Sequence, residues 1–159
     1  MTDGEVIRVD PMTPADAPAW YAMRRSLGPE WLVDDFEPLV REYLEHGTVQ
    51  GLPHVVLIAR YVTHPDVPIG FAEVSLRDYA EGCEHGPVGY LEGWFVHEQA
   101  RGKGVGSALV SAAEDWARSK GCAEFASDAE LDNTVSLLAH ERLGFEAVCD
   151  IRCFRKPLT

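Results

Sequence analysis

The chain has 159 residues, 46% of them hydrophobic, and that length predicts one domain spanning residues 1–159. No apolar run reaches the roughly 20 residues that a membrane-spanning helix needs, and the start Met1-Thr2-Asp3-Gly4-Glu5 is polar, so a cytoplasmic protein without a membrane partner is expected. Fourteen Lys and Arg against 26 Asp and Glu give a net charge of −12, which repels nucleic acid and favours small cationic partners.

In chain order, residues 6–9 alternate and predict a short first strand. Thr13-Pro14-Ala15-Asp16 reads as a helix start, with Thr13 as cap, Pro14 in the first turn and an acid three residues on. That helix is expected to run to about Leu27 and stop at Gly28-Pro29, and a second to run from about Asp34 to His46, closed by Gly47. Residues 54–62, 69–76 and 88–96 are rich in Val, Ile, Leu and aromatics and predict three strands, with a polar loop over 78–87. Val105, Leu109, Ala112 or Ala113 and Trp116 then recur at helical spacing up to Gly121. A short strand over 124–126, a helix over 134–143 closed by Gly144, and two final strands over 145–148 and 151–155 complete the chain. The order β-α-α-β-β-β-α-β-α-β-β gives an α/β (α+β) class, with an antiparallel meander followed by βαβ units and hence a mixed sheet. Cys83, Cys122, Cys149 and Cys153 lack CxxC spacing and are expected to be free thiols, with Cys149 a small buried hydrophobe in its strand. Cys83-Glu84-His85 has no second pair of ligands nearby, so no metal is expected.

Between the third of those strands and the amphipathic helix stands Arg101-Gly102-Lys103-Gly104-Val105-Gly106, followed by Ser107. Glycines at alternate positions let the backbone curl so that successive N–H groups point inward, and the helix adds its unpaired amides and positive dipole end. This is an anion cradle. A P-loop would need G-x-x-x-x-G-K-[ST], and a dinucleotide fingerprint G-x-G-x-x-G on an early strand; neither occurs.

An R-x-x-G-x-G turn after a long strand and before an amphipathic helix resembles the acetyl-CoA motif of the GNAT superfamily of N-acetyltransferases, and the resemblance covers most of the chain. It implies a mixed, mostly antiparallel sheet flanked by about four helices. It also implies that Arg101, Gly102, Lys103, Gly104, Val105, Gly106 and Ser107 hold the CoA pyrophosphate. Asn133, at the start of the last helix, is similar to the asparagine that contacts the pantetheine arm there, and equally suits a plain helix N-cap. Gly93 marks a bulge in the strand before the cradle, so the resemblance assigns the backbone of Trp94, Phe95 and Val96 to the thioester end. Where many members carry a tyrosine that protonates the departing thiolate, this chain has His140, which suits either a general acid or a packing residue.

Leu91-Glu92-Gly93-Trp94-Phe95-Val96, Ser127-Asp128-Ala129-Glu130-Leu131-Asp132-Asn133 and Phe154-Arg155-Lys156 resemble one branch of that family, the aminoglycoside 6′-N-acetyltransferases. The chemistry agrees: a substrate with several ammonium groups needs carboxylates, and Glu92 and Asp128 stand at strand ends beside the cradle. The branch further implies substrate contacts at Trp20, Tyr79 and Asp150, of which Trp20 and Tyr79 also suit packing. It implies a homodimer as well. The expected reaction is direct transfer in a ternary complex, with Glu92 taking a proton from the 6′-ammonium through water and His140 or solvent protonating the sulphur. Two other readings stay open: a GNAT enzyme for another amine (a polyamine, another antibiotic or a protein N-terminus), and a CoA-binding module without catalysis.

Overall fold

A computed structural model describes residues 5–31 and 35–158. Strands β1 (Ile7–Pro11), β2 (Thr48–Val49), β3 (Leu52–Tyr61), β4 (Pro68–Arg77), β5 (Val88–Val96) and β6 (Phe125–Ser127) form one sheet in the order β1-β3-β4-β5-β6, with β2 paired to β3. The pairings are antiparallel except β5 with β6, which is parallel. The α-helices among the described residues are α1 (Ala17–Arg25), α2 (Glu37–His46), α3 (Val105–Ser119) and α4 (Thr134–Arg142), and none of them is long and apolar enough to cross a membrane.

Strand β3 shows why the run over 54–62 is apolar without alternation. Val55, Leu57 and Ala59 pack with Leu109, Val110 and Ala113 of α3, while Val56 and Ile58 pack with Trp20, Met23 and Tyr43 of α1 and α2. Successive residues point to opposite faces, and both faces are covered. At the entry to α1 the N–H and hydroxyl of Thr13 both donate to Asp16 Oδ2 at 2.9 Å, and Asp16 is ion-paired with Arg60 of β3. The cap thus ties the helix to the sheet. Gly47, at φ 65°, closes α2 in the left-handed conformation.

Every expected helix is present, and so are the strands as far as β6. The expected start of α2 at Asp34 lies outside the described residues. The two-residue strand β2 was not foreseen. The final pair of strands is a correction: residues 145–158 carry no ladder. Ile151 and Phe154 are 56% and 89% exposed, and Cys149 is exposed rather than buried. Alternating apolar residues supply one face of a strand, but a strand exists only where a second backbone pairs with it; here Phe145 packs on Phe125 and Val148 lies against Gly82, and neither contact is a backbone ladder.

Candidate functional site

The site is built around a break in the sheet. Val74 of β4 pairs with Leu91 and Glu73 pairs with Gly93, so Glu92 is the extra residue of a bulge. A bulge re-aims the side chain it carries and shifts the strand's facing by one residue: beyond it Trp94 and Val96 join the α3 core, and Phe95 joins the α1/α2 core. On its other edge β5 pairs with β6 only from Gly89 to Leu91. The two strands then part. The N–H of His97 bonds Ile69 of β4, so the backbone groups that face the open edge are those of Trp94 and Val96. Phe95 turns its backbone to β4.

Glu92 is held by two side chains through three hydrogen bonds. Ser75 Oγ donates to its Oε1 at 2.5 Å, and Arg77 forks onto it with Nε to Oε1 at 2.9 Å and Nη2 to Oε2 at 2.7 Å. The Arg77 guanidinium lies 3.6 Å from the Tyr90 ring centroid, and the Tyr90 hydroxyl donates to Asp128 Oδ2 at 2.5 Å. One chain of contacts, Glu92–Arg77–Tyr90–Asp128, therefore joins the two acids. Burial alone would favour a neutral Arg77, yet the hydrogen bonds and charge of Glu92, with Tyr90 and Asp128 behind, hold its pKa above the ordinary arginine value. Burial, and then the hydrogen bond and charge of Asp128, push the Tyr90 phenol well above the usual range.

The glycine turn leads directly into α3. Gly102 and Gly104 have φ of 73° and 86°, which L side chains rarely adopt. The first bond of α3 runs from the N–H of Ala108 to Gly104, leaving the amides of Val105, Gly106 and Ser107 at the helix mouth. Val105 itself is buried, so it contributes backbone only. Arg101 Nε donates to the Val96 carbonyl at 3.0 Å and fastens the turn to the end of β5, while the Lys103 ammonium sits 6.0 Å from the Tyr61 ring.

Two observations test whether CoA fits. A Cβ on Gly106 would meet the Trp94 ring at 2.8 Å, so backbone and indole close directly on each other at the mouth of the parted strands. The Trp94 indole N–H there is buried without a partner, a donor left for a ligand's polar group. With the exposed amides of the cradle, these features suit a diphosphate followed by an amide-bearing arm.

Asn133 caps α4, its Oδ1 accepting the Ser136 N–H at 3.1 Å. His140 lies within α4, 2.8 Å from Ser127 Oγ by Nε2 and 2.7 Å from the Ser136 carbonyl by Nδ1. Tyr79, 66% exposed, stands on the loop after β4 and lines a small cavity of about 80 Å³ with Asp78, Cys83 and His85. Asp150 is exposed on the unpaired terminal segment. Trp20 requires a correction. It is fully buried, and its indole N–H donates at 2.8 Å to Glu73 Oε1, the carboxylate that Arg24 also holds by Nε at 2.5 Å. That burial and bond fit the packing reading of Trp20 in place of the substrate contact.

Ser75, Arg77, Tyr90 and Ser127 were not foreseen as site residues. Ser75 and Arg77, like Tyr90 and Glu92, are two apart on a strand, a spacing that shares a face. That signal was present. The pairing of β4 with β5, which brings the two faces together, was not.

With this geometry the comparisons agree. The acetyltransferase (GNAT) family model matches residues 20–145, and the chain belongs to that family. The aminoglycoside N(6′)-acetyltransferase type 1 of Klebsiella aerogenes is 46% identical over 94% of this chain and 96% of its own length, and that of Stenotrophomonas maltophilia is 42% identical over 92% and 90%. Among solved structures, AAC(6′)-Iy in complex with the bisubstrate analogue CoA-S-monomethyl-acetylneamine superposes with a TM-score of 0.84 at 32% identity, covering 96% of this chain and 99% of that one. AAC(6′)-Ih from Acinetobacter baumannii gives 0.80 at 32%, covering 97% and 100%.

Proposed function

We infer that the chain is an acetyl-CoA-dependent N-acetyltransferase that acetylates the 6′-amino group of an aminoglycoside, as its named relatives do. The observation that carries the reading is the bulge at Glu92, which sets a carboxylate beside the parted edge of β5 and links it to Asp128. Bound acetyl-CoA supplies an acetyl group already activated as a thioester. The amides of the cradle, from Arg101 to Ser107, hold its diphosphate, and the edge-facing backbone of Trp94 and the N–H of Val96, with Asn133, hold the arm. A backbone N–H on that edge donates to the oxygen that gains negative charge as the amine attacks.

Glu92 and Asp128 hold the substrate's ammonium groups, with Tyr79 and Asp150 on the rim. Because Arg77 already compensates Glu92, this carboxylate orients the 6′-ammonium and passes one proton to water rather than storing it. The departing sulphur takes a proton from the His140 side of the cleft. The working unit is a homodimer of one-domain chains in the cytoplasm, in keeping with exposed apolar residues along 148–158 that lack a partner strand. Thiol release from acetyl-CoA is the test, across aminoglycosides with and without a 6′-amino group, spermine and a peptide amine. Activity confined to 6′-amino aminoglycosides is expected. Equal rates on the 6′-hydroxyl members would overturn the regiochemistry, and preference for spermine or the peptide would overturn the substrate class.

A further inference from the structure

The bonds around His140 define more than a packed ring. A carbonyl only accepts, so the Ser136 oxygen 2.7 Å from Nδ1 puts the ring hydrogen on Nδ1 and leaves Nε2 of the neutral ring as an acceptor. Ser127 Oγ, 2.8 Å from Nε2, therefore donates to it. Trp94 and Phe145 press edge-on to the imidazole, with centroids at 5.7 and 5.1 Å, and limit its rotation. Ser127 is the last residue of β6 and pairs with Leu91, the last rung before β5 and β6 part; its Oγ is also 3.3 Å from the Leu91 carbonyl. The hydroxyl thus stands at the vertex of the open wedge, and the imidazole stands behind it.

Resting on the acetyl-transfer reading above, we propose that Ser127 is the catalytic residue that protonates the departing sulphur, with His140 a positioning residue and proton store acting through it. As the carbon–sulphur bond breaks and the amide bond forms, Ser127 gives its hydroxyl proton to sulphur and takes one from protonated Nε2. No serine alkoxide forms, because one proton arrives as the other leaves, and the second ring hydrogen stays on Nδ1, donated to the Ser136 carbonyl, throughout. The substrate ammonium loses two protons in becoming an amide. One passes through the Ser127 hydroxyl to Nε2 as the amine is freed, reversing the Ser127–Nε2 hydrogen bond, and returns the same way to the sulphur; the other leaves to water, so charge balances.

The ligand-free protein tests the arrangement without turnover. In nitrogen-15 NMR of histidine-labelled protein, His140 is expected as the Nδ1–H tautomer, with an Nε2 signal that moves in Ser127→Ala and returns in Ser127→Thr. In turnover, Ser127→Ala and His140→Gln are each expected to lower kcat about a hundredfold, the scale of a lost proton transfer. The double variant is expected to be no more than about threefold slower than either single, since both break one path, and the acetyl-CoA KM to move less than about threefold. Ser127→Thr keeps the hydroxyl and restores the rate, which separates a lost relay from a fold that failed. An Nε2–H tautomer, single effects that multiply in the double variant, or a Ser127→Ala rate near that of the unaltered protein would each overturn the relay. The rates are read with whichever amine the unaltered protein acetylates. Relay behaviour with a non-aminoglycoside amine overturns only the substrate reading, intact aminoglycoside transfer in Ser127→Ala overturns only the relay, and no thiol release with any amine overturns both.

Discussion

Glu92 accepts from Ser75 and twice from Arg77, and that saturation decides how the site uses its charge. Arg77→Met would leave a half-buried carboxylate without its counter-ion, free to turn away from the parted strands. We expect kcat/KM for the aminoglycoside to fall roughly tenfold or more in Arg77→Met and in Glu92→Gln, with the double variant close to either single, because the two side chains act as one unit. Additive losses would mean that Arg77 works independently of Glu92. Strand-end acids at Glu92 and Asp128 and the glycine turn stand out in the sequence because their residue types suit cation and anion binding; Arg77 does not, because only strand pairing reveals that it joins Glu92 to Tyr90 and so to Asp128. A second residue, His54, gives a pH dependence. Burial, the largest influence, holds its pKa below the ordinary histidine value despite the nearby charge of Glu73. The unfolded chain therefore binds a proton that the native chain refuses once pH falls below about 6.5, so stability drops on acidification through that window and recovers as pH rises. Urea midpoints at pH 7 and pH 5.5 should differ more in the unaltered protein than in His54→Gln; an equal difference would show that His54 does not carry the dependence.

At the level of elements, most of the fold was readable because each helix announces its ends and each central strand is covered on both faces. Strand β5 was read to the residue, and its bulge was inferred from Gly93 alone; the register shows that Glu92 is the inserted residue and Gly93 its neighbour. The difference matters, since a bulge at Glu92 turns the carboxylate itself toward Ser75 and Arg77. The cradle depends on the same economy of side chains. Gly104, at φ 86°, is the N-cap of α3, and an alanine there meets a penalty of about 1–2 kcal/mol in that conformation. Relaxing it would rotate the first-turn amides away from a common focus. Gly104→Ala is therefore expected to raise the acetyl-CoA KM about tenfold while the aminoglycoside KM stays within about twofold, a split that a general loss of stability would not produce. Steady-state kinetics with each substrate varied in turn checks it. A fall in kcat alone, with both KM values unchanged, would remove the turn from cofactor binding.

For the molecule as a whole, the sequence pattern and the structure part company at the C-terminus. Residues 145–148 and 151–155 alternate as strands do, yet they run without a ladder partner, and Val148, Ile151, Phe154 and Leu158 are 59%, 56%, 89% and 91% exposed. Sequence periodicity reports the face a segment can bury. It does not report whether the partner lies in the same chain, and this is the one stretch where that distinction decides the outcome. Apolar side chains spaced along an unpaired extended segment suit pairing with a second copy, which would bury them and complete both backbones. Asp150 lies inside the segment, so the same association would fix an acid that the resemblance assigns to substrate binding. A chain ending at Ala147 removes Asp150, Ile151 and Phe154 while keeping Phe145, which packs on the α3 core. Sedimentation velocity should then show a monomer where the full chain is a dimer. The aminoglycoside KM should rise about tenfold, near 1.4 kcal/mol, with acetyl-CoA binding unchanged. Ile151→Asp with Phe154→Asp should give the monomer while keeping Asp150 and so separates the two effects: a shortened chain that remains dimeric would locate the interface elsewhere, and an unchanged aminoglycoside KM in the shortened chain would take Asp150 out of the site.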